Sequence, residues 1–257
     1  MTYWNDKDQL AAKAREHTKQ MRERFRDEIV FSRINSKIYN DGFTPALQTV
    51  KETLISVEDL DTVSAIFKYG DESKECAVLN FASYNNPGGK FLEGSSAQEE
   101  CLCHASFLYN VLSEEKAYYQ WNQQHKNRAL YTNRALYSPK VIFEQGNTIR
   151  GIDVITCAAP NKGAAQRYNM ASDSECAKVL DSRIKFVLDV AEDNAIDILI
   201  LGAFGCGVFK QNAYEVASIF KHYLSTTHHC FEHVIFAVPK QGSYNLNYFK
   251  LAFKEDA

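Results

Sequence analysis

The sequence predicts a layered α/β fold on a mostly parallel sheet, as a single domain over residues 1–257 with an N-terminal helical extension over 1–35. Two patterns predict it. Short apolar runs of strand length alternate with longer stretches of helical periodicity, the order that βαβ units produce. One of those runs, Ile196-Asp-Ile-Leu-Ile-Leu201, is almost continuously apolar, as a strand must be when helices cover both faces of the sheet.

Taken in order, Leu10, Ala14, Thr18, Met21, Phe25 and Ile29 recur at three- or four-residue steps, which places them on one face of a long amphipathic helix. Between Lys13 and Arg26 six basic and two acidic residues occupy mostly the other faces. A solvated face is the plainer reading; a surface that attracts a polyanionic substrate is the sharper one. Thr44-Pro45 can open a helix, with proline at its first position. The β-branched and aromatic run over 63–69 reads as a strand, and so do 76–82, 141–144 and 153–159. A helix follows Asp173-Ser174 to about Asp193, with Val179, Ile184, Val187, Leu188 and Ala191 facing the core. After the strand over 196–201 come a helix over 212–224 and a last strand over 233–238.

With 45% hydrophobic, 24% charged and 12% aromatic residues, the 257-residue chain is globular rather than disordered or fibrous. Lysine and arginine number 29 against 32 acidic residues, a net charge of -3. That is the wrong balance for gripping duplex nucleic acid through its phosphates. No apolar run approaches the ~20 residues of a membrane span, and the N-terminus has no apolar core of a secretory signal. The expectation is a cytoplasmic monomer with no membrane partner. Seven cysteines are an odd number at low density, unlike a disulfide framework. Cys101-Leu-Cys-His104 and His228-His-Cys230 lack structural zinc spacing, so neither metal nor cofactor is expected.

Two loops can carry chemistry. Gly202-Ala-Phe-Gly-Cys-Gly-Val-Phe209 joins a strand to a helix, where three glycines let backbone N–H groups approach an anion beside a helix N-terminus. It is neither a P-loop nor a Rossmann fingerprint, and a tight turn alone would also explain the glycines. The second loop runs from Asn85-Asn-Pro-Gly-Gly-Lys90 to Gln98-Glu-Glu100. Ser95 with Gln98 resembles a capping box, which puts the start of a helix near Ser95 or Ser96 with Leu102, Ala105, Leu108 and Leu112 on one side. Glu99 and Glu100 then lie in the first turn, where the helix dipole favours carboxylates in any case. Neighbours on a helix project about 100° apart, so the pair should not point at one atom, and only one should act as direct acid/base. Both loops leave parallel-type strands, at the carboxyl ends where α/β folds place ligands. A ligand bridging them should carry phosphates at one end and an acid/base-labile bond at the other.

Asn80-Phe-Ala-Ser, Asn-Pro-Gly-Gly-x-Phe-Leu-x-Gly and Ala97-Gln-Glu-Glu100 together resemble the signature of the microbial-type poly(ADP-ribose) glycohydrolases. The glycine loop over 202–209 resembles that family's diphosphate-binding loop, and Ile155-Thr-Cys-Ala-Ala-Pro-Asn161 and the strand over 234–238 also look like family segments. The resemblance implies a macrodomain-like three-layer α/β/α fold with a mixed, mostly parallel sheet. It implies an ADP-ribosyl glycohydrolase in which Glu100 is the catalytic acid and Glu99 contacts the ribose. Asn80 corresponds to an asparagine near the ribose, and Gly88, Gly89 and Gln98 belong to the catalytic signature. Gly205, Cys206, Gly207 and Val208 correspond to the diphosphate cradle, and Phe209 to an aromatic near the adenosine half, although it could equally anchor the loop in the core.

Three positions depart from the family pattern. Lys90 replaces a third glycine, which could strain the loop, fill part of the cleft or pair with a substrate phosphate. His104 stands in place of an arginine, and Gln211-Asn-Ala213 ends the phosphate loop.

The implied partner is an ADP-ribosylated macromolecule, a protein first and a nucleic acid second, with ADP-ribose as product. The alternatives are a binding module that reads ADP-ribose without cleaving it, thiol chemistry at Cys206 with its pKa lowered by loop N–H groups, and a hydrolase of ADP-ribosylated DNA.

Overall fold

The computed structural model describes residues 3–240 and 244–254; the first two and last three residues of the expected domain lie outside that range. Along the chain run α1 (Tyr3–Arg24), α2 (Arg26–Ile34), β1 (Lys37–Asn40), β2 (Leu54–Glu58), α3 (Thr62–Tyr69), β3 (Cys76–Phe81), α4 (Gln98–His104), α5 (Leu108–Leu112) and α6 (Lys116–Gln124). They are followed by β4 (Arg134–Gln145), β5 (Thr148–Cys157), α7 (Lys162–Asn169), α8 (Asp173–Asp193), β6 (Ile198–Gly202), α9 (Ala213–Thr226), β7 (His233–Ala237) and α10 (Asn245–Ala252). The strands form one seven-stranded sheet in the order β1-β4-β5-β3-β6-β7-β2. The pairs β5–β3, β3–β6, β6–β7 and β7–β2 are parallel, whereas β1–β4 and β4–β5 are antiparallel. This is the mixed, mostly parallel sheet the sequence predicts.

Alternation along β3 shows why the fold has three layers. Ala77 and Leu79 pack into one apolar cluster with Leu180, Ile184 and Val187 of α8 and Val216 and Phe220 of α9. Cys76 and Val78 pack into the other, with Ala65 and Ile66 of α3, Leu102 of α4 and Ala14 and Met21 of α1. Successive strand residues face opposite sides, so each face needs its own helical cover. Helix α8 begins as its sequence dictates: the Ser172 side chain accepts from Glu175 N–H, and the Glu175 carboxylate accepts from Ser172 N–H, a reciprocal box.

Several local expectations are corrected. The long N-terminal helix breaks at Phe25 (φ -123°, ψ 39°), where the Phe25 ring turns in against Phe107, 6.1 Å between centroids. Residues 63–69 form α3 rather than a strand. Asp61 caps it by accepting from Ser64 N–H, and the Thr62, Ala65, Ile66 face is buried, a tertiary choice that overrides the β-branched and aromatic composition. Pro45 opens no helix; residues 43–50 run as an irregular loop whose Ala46 N–H is held by Asp193. The helix expected from Ser95 starts at Gln98 with Ala97 as an N-cap that makes no side-chain bond. It also stops at His104, because Ser106 bridges to Phe143 of β4 before α5 resumes. The edge strands β1 and β2, too short to show a period, were not foreseen, nor was the β4–β5 hairpin that turns at Gly146 with φ +60°.

Candidate active site

The two glycine-containing loops leave the carboxyl ends of β3 and β6, which are neighbours in the sheet, and face each other across a cavity of about 380 Å³. Its walls include Ser83, Gly89, Lys90, Gln98, Glu99 and Glu100 on the β3 side and Ala203, Phe204, Gly205, Gly207, Val208 and Phe209 on the β6 side.

The β3 loop is built around its carboxylates. Gly88 and Gly89 have φ of +65° and +61°, which wraps the chain so that the carboxyl ends of α4 reach its amides. Glu100 Oε1 accepts from Lys90 N–H at 2.8 Å. Glu99 Oε2 accepts from Ser83 N–H at 2.7 Å, and its Oε1 from the Asn80 amide at 3.3 Å. Although their Cα–Cβ bonds diverge on the helix, the two side chains are long enough to converge. A β-carbon placed on Gly89 would lie 2.5 Å from Glu100 Oε1 and 3.0 Å from Glu99 Oε2, so a larger residue there would displace both carboxylates. The two carboxyls differ in one respect: of their four oxygens, Glu100 Oε2 is buried and has no hydrogen-bond partner among the described residues. Burial, opposed by the Ser83 and Asn80 hydrogen bonds, pushes the Glu99 carboxyl up to about 8.

Three residues of the sequence signature take structural positions. Gln98 makes no capping box; its side chain accepts from Phe81 N–H at 2.8 Å and donates to Leu79 O at 2.9 Å, which pins α4 to the end of β3. Asn80 is fully buried behind the cavity, where it holds Glu99 and bonds Thr156 instead of lining the wall. Gly88 is likewise set back, against Tyr109 and Cys103. Lys90 has φ -112°, a conformation open to any residue, so it does not strain the loop.

On the other wall, Gly205 turns the chain at φ +75°, where a β-carbon would meet Ala159 at 2.7 Å. Among the described residues, the N–H groups of Gly205, Gly207, Val208 and Phe209 make no hydrogen bond within the protein. Four donors without a protein acceptor at the mouth of a parallel sheet are the arrangement an anion cradle requires. The Gln211-Asn-Ala213 segment braces it: Gln211 donates to Pro160 O at 2.6 Å, and Asn212 caps α9 by accepting from Glu215 N–H. Cys206 lies outside the cavity wall, and burial pushes its thiol up to about 12, opposite to the direction thiolate chemistry requires.

Aromatic residues close the far end. Tyr131 stacks on Tyr84, centroids 4.1 Å apart, and meets Phe209 at 6.1 Å. Tyr131 follows a run of left-handed residues (Asn127, Arg128, Ala129) and is itself at φ +62°. No motif announces this wall; the nearest signal is strain, visible only in the backbone. A second cavity of about 300 Å³, lined by Asp61, Thr62, Val63, Val238 and Asn245, shares Phe81, Gln98 and Ala203 with the first. Among the described residues, no three His, Cys, Asp or Glu side chains group as metal ligands would.

Unspent amides facing a buried carboxylate pair across the carboxyl edge of the sheet define a macrodomain-like α/β protein with a cleft between two loops. The comparisons narrow it. A family model for the microbial-type PARG (poly(ADP-ribose) glycohydrolase) catalytic domain matches residues 7–145, more than half of the chain, and the chain belongs to that family. Among solved structures, poly(ADP-ribose) glycohydrolase from Thermomonospora curvata, bound to the inhibitor ADP-HPD, is 27% identical. Its TM-score is 0.81, and the match covers 95% of this chain and 99% of that one. The enzyme from Deinococcus radiodurans in complex with ADP-ribose is similar at 29% identity in one crystal form and 30% in another. The TM-scores are 0.77 and 0.76, with 89% and 87% of this chain and 98% and 96% of those chains covered. No curated protein matches the chain. The family match ends before the β6 loop, and the structural matches extend over nearly all of the chain.

Proposed function

We propose that this chain hydrolyses the ribosyl glycosidic bond of ADP-ribosylated macromolecules, proteins foremost, and releases ADP-ribose. The observation that carries the reading is the buried, unpartnered Oε2 of Glu100 in the same cavity as the four unspent amides. The substrate diphosphate lies on the N–H groups of Gly205, Gly207, Val208 and Phe209, and the distal ribose between them and α4. Glu100 protonates the departing oxygen as the C1″–O bond breaks toward an oxocarbenium-like state. It then takes a proton from water as the water oxygen bonds to C1″, so the net change is addition of H and OH across one bond. Glu99 is anchored on Ser83 and contacts the ribose, and Asn80 holds Glu99 from behind. The adenosine half extends into the second cavity, which leaves Phe209 beside the distal ribose rather than beside adenosine. Seven free cysteines suit a reducing, cytoplasmic setting. No helix of the described residues is long and apolar enough to cross a membrane.

The test is Glu100→Gln assayed on a protein carrying labelled ADP-ribose. The variant should bind free ADP-ribose within about threefold of wild type and slow label release by at least about a thousandfold, the scale of losing a general acid and base. Wild-type turnover in the variant would overturn the assignment.

A further inference from the structure

We propose that the Lys90 ammonium binds a phosphate on the leaving-group side of the cleft and biases the enzyme toward ADP-ribose polymer, whose leaving unit is itself a nucleoside diphosphate. This deepens the glycohydrolase reading and rests on it. Lys90 lines the same cavity as Glu99 and Glu100, on the loop opposite the diphosphate cradle. Its own N–H is bonded to Glu100 at 2.8 Å, so an oxygen protonated by Glu100 departs close to the Lys90 backbone. The backbone there (φ -112°) has no need of glycine, so the side chain is an addition made without conformational cost.

That side chain is available. Its partner is Glu93 at 3.5 Å, and the two side chains are 63% and 65% exposed. An ion pair so open to solvent contributes little and is readily exchanged for a phosphate. In the polymer the leaving oxygen is a ribose 2′-hydroxyl, and the diphosphate hangs from the 5′ carbon of the same ribose, a tether comparable to the span of a lysine side chain. The cradle takes the first diphosphate; Lys90 takes the next one. A single cation beside the scissile bond suits this local anion, whereas a nucleic-acid acceptor would call for a longer basic track than a chain of net charge -3 offers.

The test compares Lys90→Gln and Lys90→Arg with wild type on two substrates: ADP-ribose polymer, and a neutral peptide mono-ADP-ribosylated on serine. Lys90→Gln should raise KM for the polymer about fivefold to tenfold, the scale of one exposed charge-assisted contact, with kcat changed less. The loss on the peptide should be at least about fivefold smaller. Lys90→Arg should restore most of the polymer KM, and rising salt should erode the wild-type preference more than that of Lys90→Gln. Equal losses on both substrates, or none on the polymer, overturn the proposal. A selective loss on an ADP-ribosylated oligonucleotide instead would transfer the role to nucleic acid. A wild-type protein that releases ADP-ribose from neither substrate would sink the glycohydrolase reading itself, a result distinct from any ratio between substrates.

Discussion

Glu99 and Glu100 are adjacent, yet their surroundings separate their roles. Glu99 has both oxygens engaged and a carboxyl raised by burial from 4.5 to about 8; Glu100 keeps one buried oxygen without a partner among the described residues. A raised carboxyl binds its proton more tightly in the folded chain than in the unfolded one. Its contribution to stability is therefore complete below pH 4.5, declines between about pH 4.5 and 8, and is lost above. Other groups titrate in that window, so the informative quantity is a difference. The melting temperature of wild type should fall more between pH 5 and pH 8.5 than that of Glu99→Gln, and parallel curves would refute the assignment. Gly89 is the neighbouring test. Alanine there would hold a left-handed φ at a cost of about 1 kcal/mol and would push its methyl into both carboxylates. Gly89→Ala should lose a few degrees of melting temperature but at least about tenfold in turnover, because misplacement of the acid matters more to rate than to folding.

At the scale of elements, what could be read from the sequence is what depends on local residue types. That the β6 loop and the Gln-Glu-Glu turn face one cavity was legible, because glycines and carboxylates mark loops at the carboxyl ends of parallel strands wherever the chain goes. Gln98 was read for the wrong reason: spacing suggested a cap, and only the fold shows it reaching across to β3. The Tyr84–Tyr131 wall was illegible, since the two rings come from segments 47 residues apart and meet only when the sheet forms. Behind that wall sits Arg183 of α8, fully buried, donating to Ala158 O, Leu130 O and the Asn133 side chain, with Asp41 reached only through Asn133 and no direct ion pair among the described residues. It holds together the left-handed run and the end of β5. Arg183→Met would keep the packing but leave two buried carbonyls without donors, each costing about 1–3 kcal/mol. The removal of a buried charge offsets part of that, so a net loss of about 2–3 kcal/mol is expected, measured by urea unfolding. Because Tyr131 then loosens, affinity for ADP-ribose should fall as well; a destabilised variant with unchanged affinity would show that Arg183 serves the core alone.

For the whole molecule, the cleft is the seam where two neighbouring parallel strands, β3 and β6, end and their loops diverge, with the β6-loop amides on one wall and the α4 carboxylates on the other. A ligand that spans them binds the native chain and not the unfolded one, so it must stabilise the fold by RT ln(1 + [L]/Kd), about 2.7 kcal/mol at a hundredfold excess over Kd. For a domain of this size that amounts to a rise of roughly 5–10 °C in melting temperature. ADP-ribose should therefore raise the melting temperature of both wild type and Glu100→Gln by similar amounts, as the proposed roles require, with Glu100 acting on the bond and the β6-loop amides holding the diphosphate. Gly205→Val should behave differently: its side chain would collide with Ala159 and Gln211 and displace the amides, so the variant folds with a lower melting temperature and loses most of the ligand-induced rise. ADP-ribose without its diphosphate, supplied as adenosine plus ribose, should give no comparable rise in any of the three. If Gly205→Val kept the full shift, the diphosphate would have to rest elsewhere, and the two loops would no longer form one site.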